Sequence, residues 1–168
     1  NLHSSGYIRG FKIINGYAPE YIDQWGYNNG EVGGAIVGFN INLSIDSCII
    51  NNNIALTYGG GIFSSACSLK VLYSDIQNNN GSGIYCIGDG SLNILHSNIL
   101  YSSGYGIETD GMSPNKIAQC QISHNLLGGY FQQAPVVDSI IETSFKYNQD
   151  YAVAYRSGGD HYLESCVI

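Results

Sequence analysis

Glu108 and Asp110 stand two residues apart in the stretch Gly-Ile-Glu-Thr-Asp-Gly, Gly106–Gly111. On an extended strand, residues i and i+2 project from the same face, roughly 7 Å apart by strand rise. Two carboxylates on one face are what a glycoside hydrolase needs, one to donate a proton and one to accept it. Arg156 would give a lyase its base or charge clamp. Asp110-Gly111 also reads as a simple turn, and these three residues lean towards a non-catalytic chain more than towards an enzyme. Phe63, Tyr85 and Phe131 are the candidate ligand contacts, since aromatic rings suit the apolar faces of sugars. The same rings would also form a cross-strand ladder. Trp25, the only Trp, lies among Tyr17, Tyr21 and Tyr27 and is a further candidate contact for a glycan or a protein.

Whether these residues share a face depends on the element that carries them, and the chain repeats. Gly33–Ile36 reads GGAI, Gly59–Ile62 reads GGGI, and similar openings follow. Their lead residues are Ile36, Ile62, Ile84, Ile107, Tyr130 and Val153, at spacings of 26, 22, 23, 23 and 23. A fixed period in the twenties marks a solenoid. Late in each unit comes a run with apolar-x-small-x-apolar alternation: Ile45, Ser47, Ile49, then Leu72, Ser74, Ile76, and onwards to Leu163, Ser165, Val167. Period 2 predicts a strand with those positions inward, so Ile49, Ile76, Ile99, Ile122 and Phe145 should stack in one line. Asn52, Asn79, Ser102, Asn125 and Asn148 follow, suited to left-handed turns and to an amide ladder between coils.

Coils stacked about 4.8 Å apart would bury what one coil cannot. Six anchors and a less regular one at Gly10–Gly16 predict about seven coils and a rod roughly 30 Å long. The Gly-rich half of each unit is poor in helix formers, which argues against a leucine-rich repeat. A 23-residue coil does not divide into the six-residue sides of a left-handed β-helix. The expected fold is all-β, a right-handed parallel β-helix solenoid, with one domain over residues 1–168. In this frame Val37, Phe63, Tyr85, Glu108, Phe131 and Ala154 form one outward column of the lead strands. Phe39, Ser65, Ile87, Asp110, Gln133 and Arg156 form the next. A stretch at 17–32 interrupts the first unit and lengthens it to about 36 residues, an excursion of the kind that often carries function.

The chain has 168 residues, a net charge of −7 and only six Lys and Arg. Phosphate recognition depends on clustered cations, so nucleic acid is not an expected partner. No apolar run is long enough for a membrane span. Of the five Cys, Cys120 is expected in the core, Cys48 and Cys166 in an outward column, and Cys67 and Cys86 in adjacent coils where a disulfide is one reading. His3, His96, His124 and His161 share no column, so no metal site is expected from them. Gly88-Asp89-Gly90 reads first as a turn and second as a Ca2+ site, and no other cofactor is expected.

GFKIING at Gly10–Gly16, the GGAI and GGGI openings, IINN at Ile49–Asn52 and FKYN at Phe145–Asn148 resemble parallel β-helix repeats of the pectate-lyase-like superfamily. The pairing of GGAI with F-x-x-N is also similar to the repeats of polymorphic outer-membrane proteins and related bacterial surface proteins. ETDG at Glu108–Gly111 resembles one stretch of polygalacturonases, but their other elements are missing, as is the calcium-binding Asp cluster of pectate lyases. The resemblance implies an extracellular or cell-surface scaffold or adhesin segment that binds a polysaccharide or a surface protein. It also implies an alternative, a polysaccharide lyase or glycoside hydrolase acting on an acidic polymer. Uncapped coil ends with unpaired strand edges give a third expectation, a fibre subunit that self-associates end to end. The chain starts on Asn1 and stops inside its last anchor, so a segment of a longer protein is expected.

Overall fold

The computed structural model describes residues 4–18, 20–22, 28–55 and 57–168. Three parallel sheets run along the chain's long axis, and the middle coils contribute one strand to each of them. The lead sheet has six strands: Ile36–Phe39, Ile62–Ser65, Ile84–Ile87, Tyr105–Asp110, Gly128–Gln132 and Val153–Tyr155. The second sheet has seven: Ser4–Arg9, Ile41–Asp46, Ser68–Leu72, Ser91–Leu95, Asn115–Ala118, Val137–Ile141 and Asp160–Glu164. The third is five short strands: Lys12–Ile14, Ile49–Asn51, Asp75–Gln77, Asn98–Leu100 and Gln121–Ser123. Every strand in these sheets pairs in parallel with its counterpart one coil away, which is the expected solenoid. There are about six coils, not seven, because the first irregular unit supplies strands to the second and third sheets only. In the 17–32 stretch, Glu20–Ile22 pairs antiparallel with Asn28–Glu31.

Each coil presents its inward residues to the next. The lead column Ile36, Ile62, Ile84, Ile107 and Tyr130 is buried, in the register expected. In the third sheet Ile76, Ile99 and Ile122 stack and are fully buried, with Phe145 beyond them at 2% exposure. The fifth member, however, is Ile50 and not Ile49: Ile50 pairs with Ile76 and is fully buried, while Ile49 is 38% exposed. The reason lies at the bend between the second and third sheets. Ser47, Tyr73, His96, Gln119, Glu142 and Ser165 take left-handed backbone there, with φ from 47° to 55°. Strict alternation does not survive such a corner. The inward set is therefore Ile45, Cys48 and Ile50, matched by Val71, Ser74 and Ile76 in the next coil. Leu72 and Leu95 sit half-buried one place past the core column of Val71, Ile94, Ile117 and Ile140. The last unit slips likewise, with Leu163 pairing Ile140.

The same shift corrects the cysteines. Cys48 and Cys166 belong to the small inward column with Ser74, Ser97, Cys120 and Thr143, and the backbone N–H of Cys48 donates to Ser74 Oγ at 3.1 Å. All five thiols are free, Cys67 and Cys86 included.

The asparagines divide into two roles. Asn15, Asn52, Asn78, Tyr101, His124 and Tyr147 hold the left-handed turn, with φ from 53° to 59°. The residue after each turns inward, and Asn53, Asn79, Ser102 and Asn125 are buried. Their amides form the expected ladder: Asn53 Nδ2 donates to Asn79 Oδ1 at 3.0 Å, and Asn125 Nδ2 to Asn148 Oδ1 at 3.0 Å. This ladder satisfies backbone groups that would otherwise be orphaned inside the coil. It also explains the glycine before four of the lead residues, Ile62, Ile84, Ile107 and Tyr130. A Cβ on Gly83 would lie 2.8 Å from both Ile99 Cγ2 and Ser102 Oγ, because the two inner columns close on that point.

Candidate functional site

The outer face of the lead sheet carries the columns the repeat implies. Val37, Phe63, Tyr85, Glu108, Phe131 and Ala154 are cross-strand neighbours in that order. Phe39, Ser65, Ile87 and Asp110 pair in the next column, which Gln133 and Arg156 continue. Glu108 and Asp110 therefore share a face, and Arg156 stands exposed two coils beyond Asp110.

The aromatic candidates separate by burial. Phe63 and Tyr85 are 6% and 4% exposed and cluster with Val32 outside the main core. Their rings stack at 5.9 Å and 11°. Phe39, at 5.5 Å from Phe63, and Tyr58, at 4.7 Å from Tyr85, are the partly exposed rings above them. Phe131 is half-buried beside Tyr105 and Tyr151, at ring separations of 4.8 and 6.2 Å, and the Tyr105 and Tyr151 hydroxyls lie 2.9 Å apart. Tyr58, Tyr105 and Tyr151 went unnoticed in the sequence because they lie in the connections and at the strand edge, outside the alternating pattern. Trp25 lies outside the described residues.

Glu108 sits between these aromatic groups, since Tyr85 and Phe131 are its neighbours on the two adjacent strands. Ser82 Oγ donates to its Oε2 at 3.0 Å and Gln133 Nε2 to its Oε1 at 2.8 Å. Burial, helped by the nearby charge of Asp110, raises its proton affinity above the ordinary carboxylate range, against the opposing pull of those two donors. Burial and the negative charge of Glu108 push the Tyr85 hydroxyl up in turn, so Tyr85 stays neutral. The site is a fixed, half-buried carboxylate with an aromatic residue on each adjacent strand. It can accept hydrogen bonds, attract a cation or hold a proton.

Other candidates take structural places. Gly88-Asp89-Gly90 is a turn with φ of 81° at Gly88 and 151° at Gly90, and Asp89 is exposed. His96 stacks on Tyr73 at 4.8 Å, and His124 lies between Tyr101 and Tyr147 at 4.7 and 5.0 Å. No group of three His, Cys, Asp or Glu among the described residues is placed to hold a metal ion.

The interior of the last coils holds a polar network that the sequence reading missed. Asp138 takes the inward position that Leu92 fills two coils earlier, with Asn115 between them and His161 after it. The Tyr130 hydroxyl donates to Asp138 Oδ2 at 2.7 Å, and His161 Nδ1 lies 3.7 Å from the same oxygen. Thr109 Oγ1 donates to Gln132 Oε1, which lies 2.9 Å from the Tyr130 hydroxyl oxygen. Tyr155 stacks on His161 at 3.5 Å. Applying the repeat register to Leu69, Leu92, Asn115, Asp138 and His161 would have exposed the change from apolar to polar.

Fold and face together define a parallel β-solenoid with an aromatic and acidic strip on one sheet. Comparisons of the chain with protein-family models, with curated proteins and with solved structures find no match.

Proposed function

We propose that the chain is a carbohydrate-binding β-helix scaffold segment, working outside the cell or at its surface, with its ligand along the outer face of the lead sheet. The observation that carries the reading is Glu108, held by Ser82 and Gln133 and flanked by Tyr85 and the Tyr105–Phe131–Tyr151 group. Rings of this kind pack against the apolar faces of sugars, and an oriented carboxylate accepts bonds from their hydroxyls. The repeat's similarity to the pectate-lyase-like superfamily and to bacterial surface repeats supports the same reading and the extracellular placement.

A glycoside hydrolase is the second reading. Two carboxylates share one strand face, and the raised proton affinity of Glu108 suits it to the part of the acid.

Electrophoresis through gels containing soluble polysaccharides, with a parallel assay for new reducing ends, tests both. Retardation by at least one polymer without cleavage is the expected result, lost in the Tyr105→Ala/Phe131→Ala double variant. Retardation that survives in a folded double variant, or none on any polymer, would sink the binding reading. New reducing ends that vanish in Glu108→Gln would move the assignment to the hydrolase.

A further inference from the structure

We infer that the glycan bound by this face carries free amines: a glucosamine-type oligomer, with one protonated amine seated against Glu108 beside the Tyr105–Phe131 pair. The inference rests on the glycan reading above and names its ligand class.

Charge is the first ground. Glu108 and Asp110 are the charged residues of the two outward lead-sheet columns in the middle coils, and the only cation in those columns, Arg156, lies exposed two coils away. With a whole-chain charge of −7, this face repels a uronate polymer and attracts a polyamine. The acidic polysaccharide that an enzyme reading would favour is therefore the wrong class.

The setting of the carboxylate is the second ground. An exposed surface carboxylate gains little from a cation because water screens the pair. Glu108 is half-buried beside buried Tyr85, where attraction is stronger. Ser82 and Gln133 fix both of its oxygens, so it arrives oriented. Both of these donors are neutral, and the negative charge is left without a cationic partner among the described residues.

Aromatic rings are the third ground. The π-face of a Tyr or Phe attracts an ammonium group, and carboxylate and rings act together on one cation. Phe131, half-buried on the strand next to Glu108, and Tyr105, stacked on it at 4.8 Å, are the rings an amine can reach, while Tyr85 on the other side is buried. A neutral N-acetyl sugar could use the rings but would leave this charge unmatched.

Calorimetric titration of the full chain with glucosamine hexamer and with N-acetylglucosamine hexamer, at one salt concentration, separates the alternatives. The glucosamine oligomer should bind about tenfold more tightly, and Glu108→Gln should abolish that preference. Lys116→Gln, on the outer side of the second sheet, should leave both affinities unchanged. Equal or stronger binding of the N-acetyl oligomer would overturn the inference and leave the glycan reading standing. So would a preference that persists in folded Glu108→Gln. Binding of neither oligomer, with a neutral polysaccharide still retained, would also overturn it. Oligolysine bound as tightly as the glucosamine hexamer would show a generic polycation surface and overturn it too.

Discussion

Replacing Ile50 with Ala is expected to lower the unfolding free energy by about 2–5 kcal/mol, and replacing Ile49 with Ala by less than about 1 kcal/mol. The two isoleucines are adjacent and chemically identical, so the difference comes only from where each side chain points. Ile50 is fully buried in the column that runs through Ile76, Ile99 and Ile122, and truncating it leaves a cavity between two packed coils. Ile49 faces outward and is 38% exposed. Ile99→Ala should match Ile50→Ala, because the two sit in one line. Urea denaturation of the three variants checks this through the transition midpoints, provided the slopes agree. Equal losses at positions 49 and 50 would mean that the left-handed corner at Ser47 does not set the register.

Asp138→Ala should cost about 3 kcal/mol at neutral pH, since it removes the nearer acceptor of the buried Tyr130 hydroxyl, leaving Gln132 Oε1, and takes from His161 its neighbour. Asp138→Asn keeps an acceptor and should cost less; the preceding coil already carries Asn115 at this place. The two also differ in pH dependence. Burial raises the proton affinity of Asp138, outweighing the opposite effects of Tyr130, Asn115 and His161. The other titratable groups facing it are Tyr130, His161 and Tyr155, with Cys166 beside Tyr155. A carboxyl that holds its proton more tightly when folded favours folding at low pH. That contribution is lost as pH rises from the unfolded carboxylate value, about 4, through the raised folded value. The stability of the wild type relative to Asp138→Asn should therefore be greatest near about pH 3 and shrink as pH rises. A difference that grows with pH would show that Asp138 is held as a stabilised carboxylate instead.

The repeat was legible because its signals are physical requirements of stacking. The glycine before Ile84 is there because Ile99 and Ser102 leave no room for a Cβ, and that spacing can be read without coordinates. The outward columns through Glu108 and Asp110 followed from the lead residues, since alternation along one straight strand is reliable. Alternation carried across a bend was not. Ser47, Tyr73 and His96 are ordinary side chains with no glycine to announce a left-handed corner, and Ile49-Ile50 offered two equally apolar choices. For the site, the sequence put Glu108, Phe131 and Gln133 on one face but did not supply Ser82, Tyr105 or Tyr151. Those three come to Glu108 and Phe131 from neighbouring coils or from the strand edge, by contacts that only the stacking creates.

Binding on the outer face of the lead sheet is the central claim, and an amide chemical-shift titration of the isotopically labelled chain with glucosamine hexamer tests it most directly. The amides of Tyr105–Asp110 and 128–133 should move together and saturate with one affinity, while Asn98–Leu100 and Gln121–Ser123 of the third sheet stay in place. Shifts confined to the second or third sheet, or none on the lead sheet at saturating ligand, would contradict it.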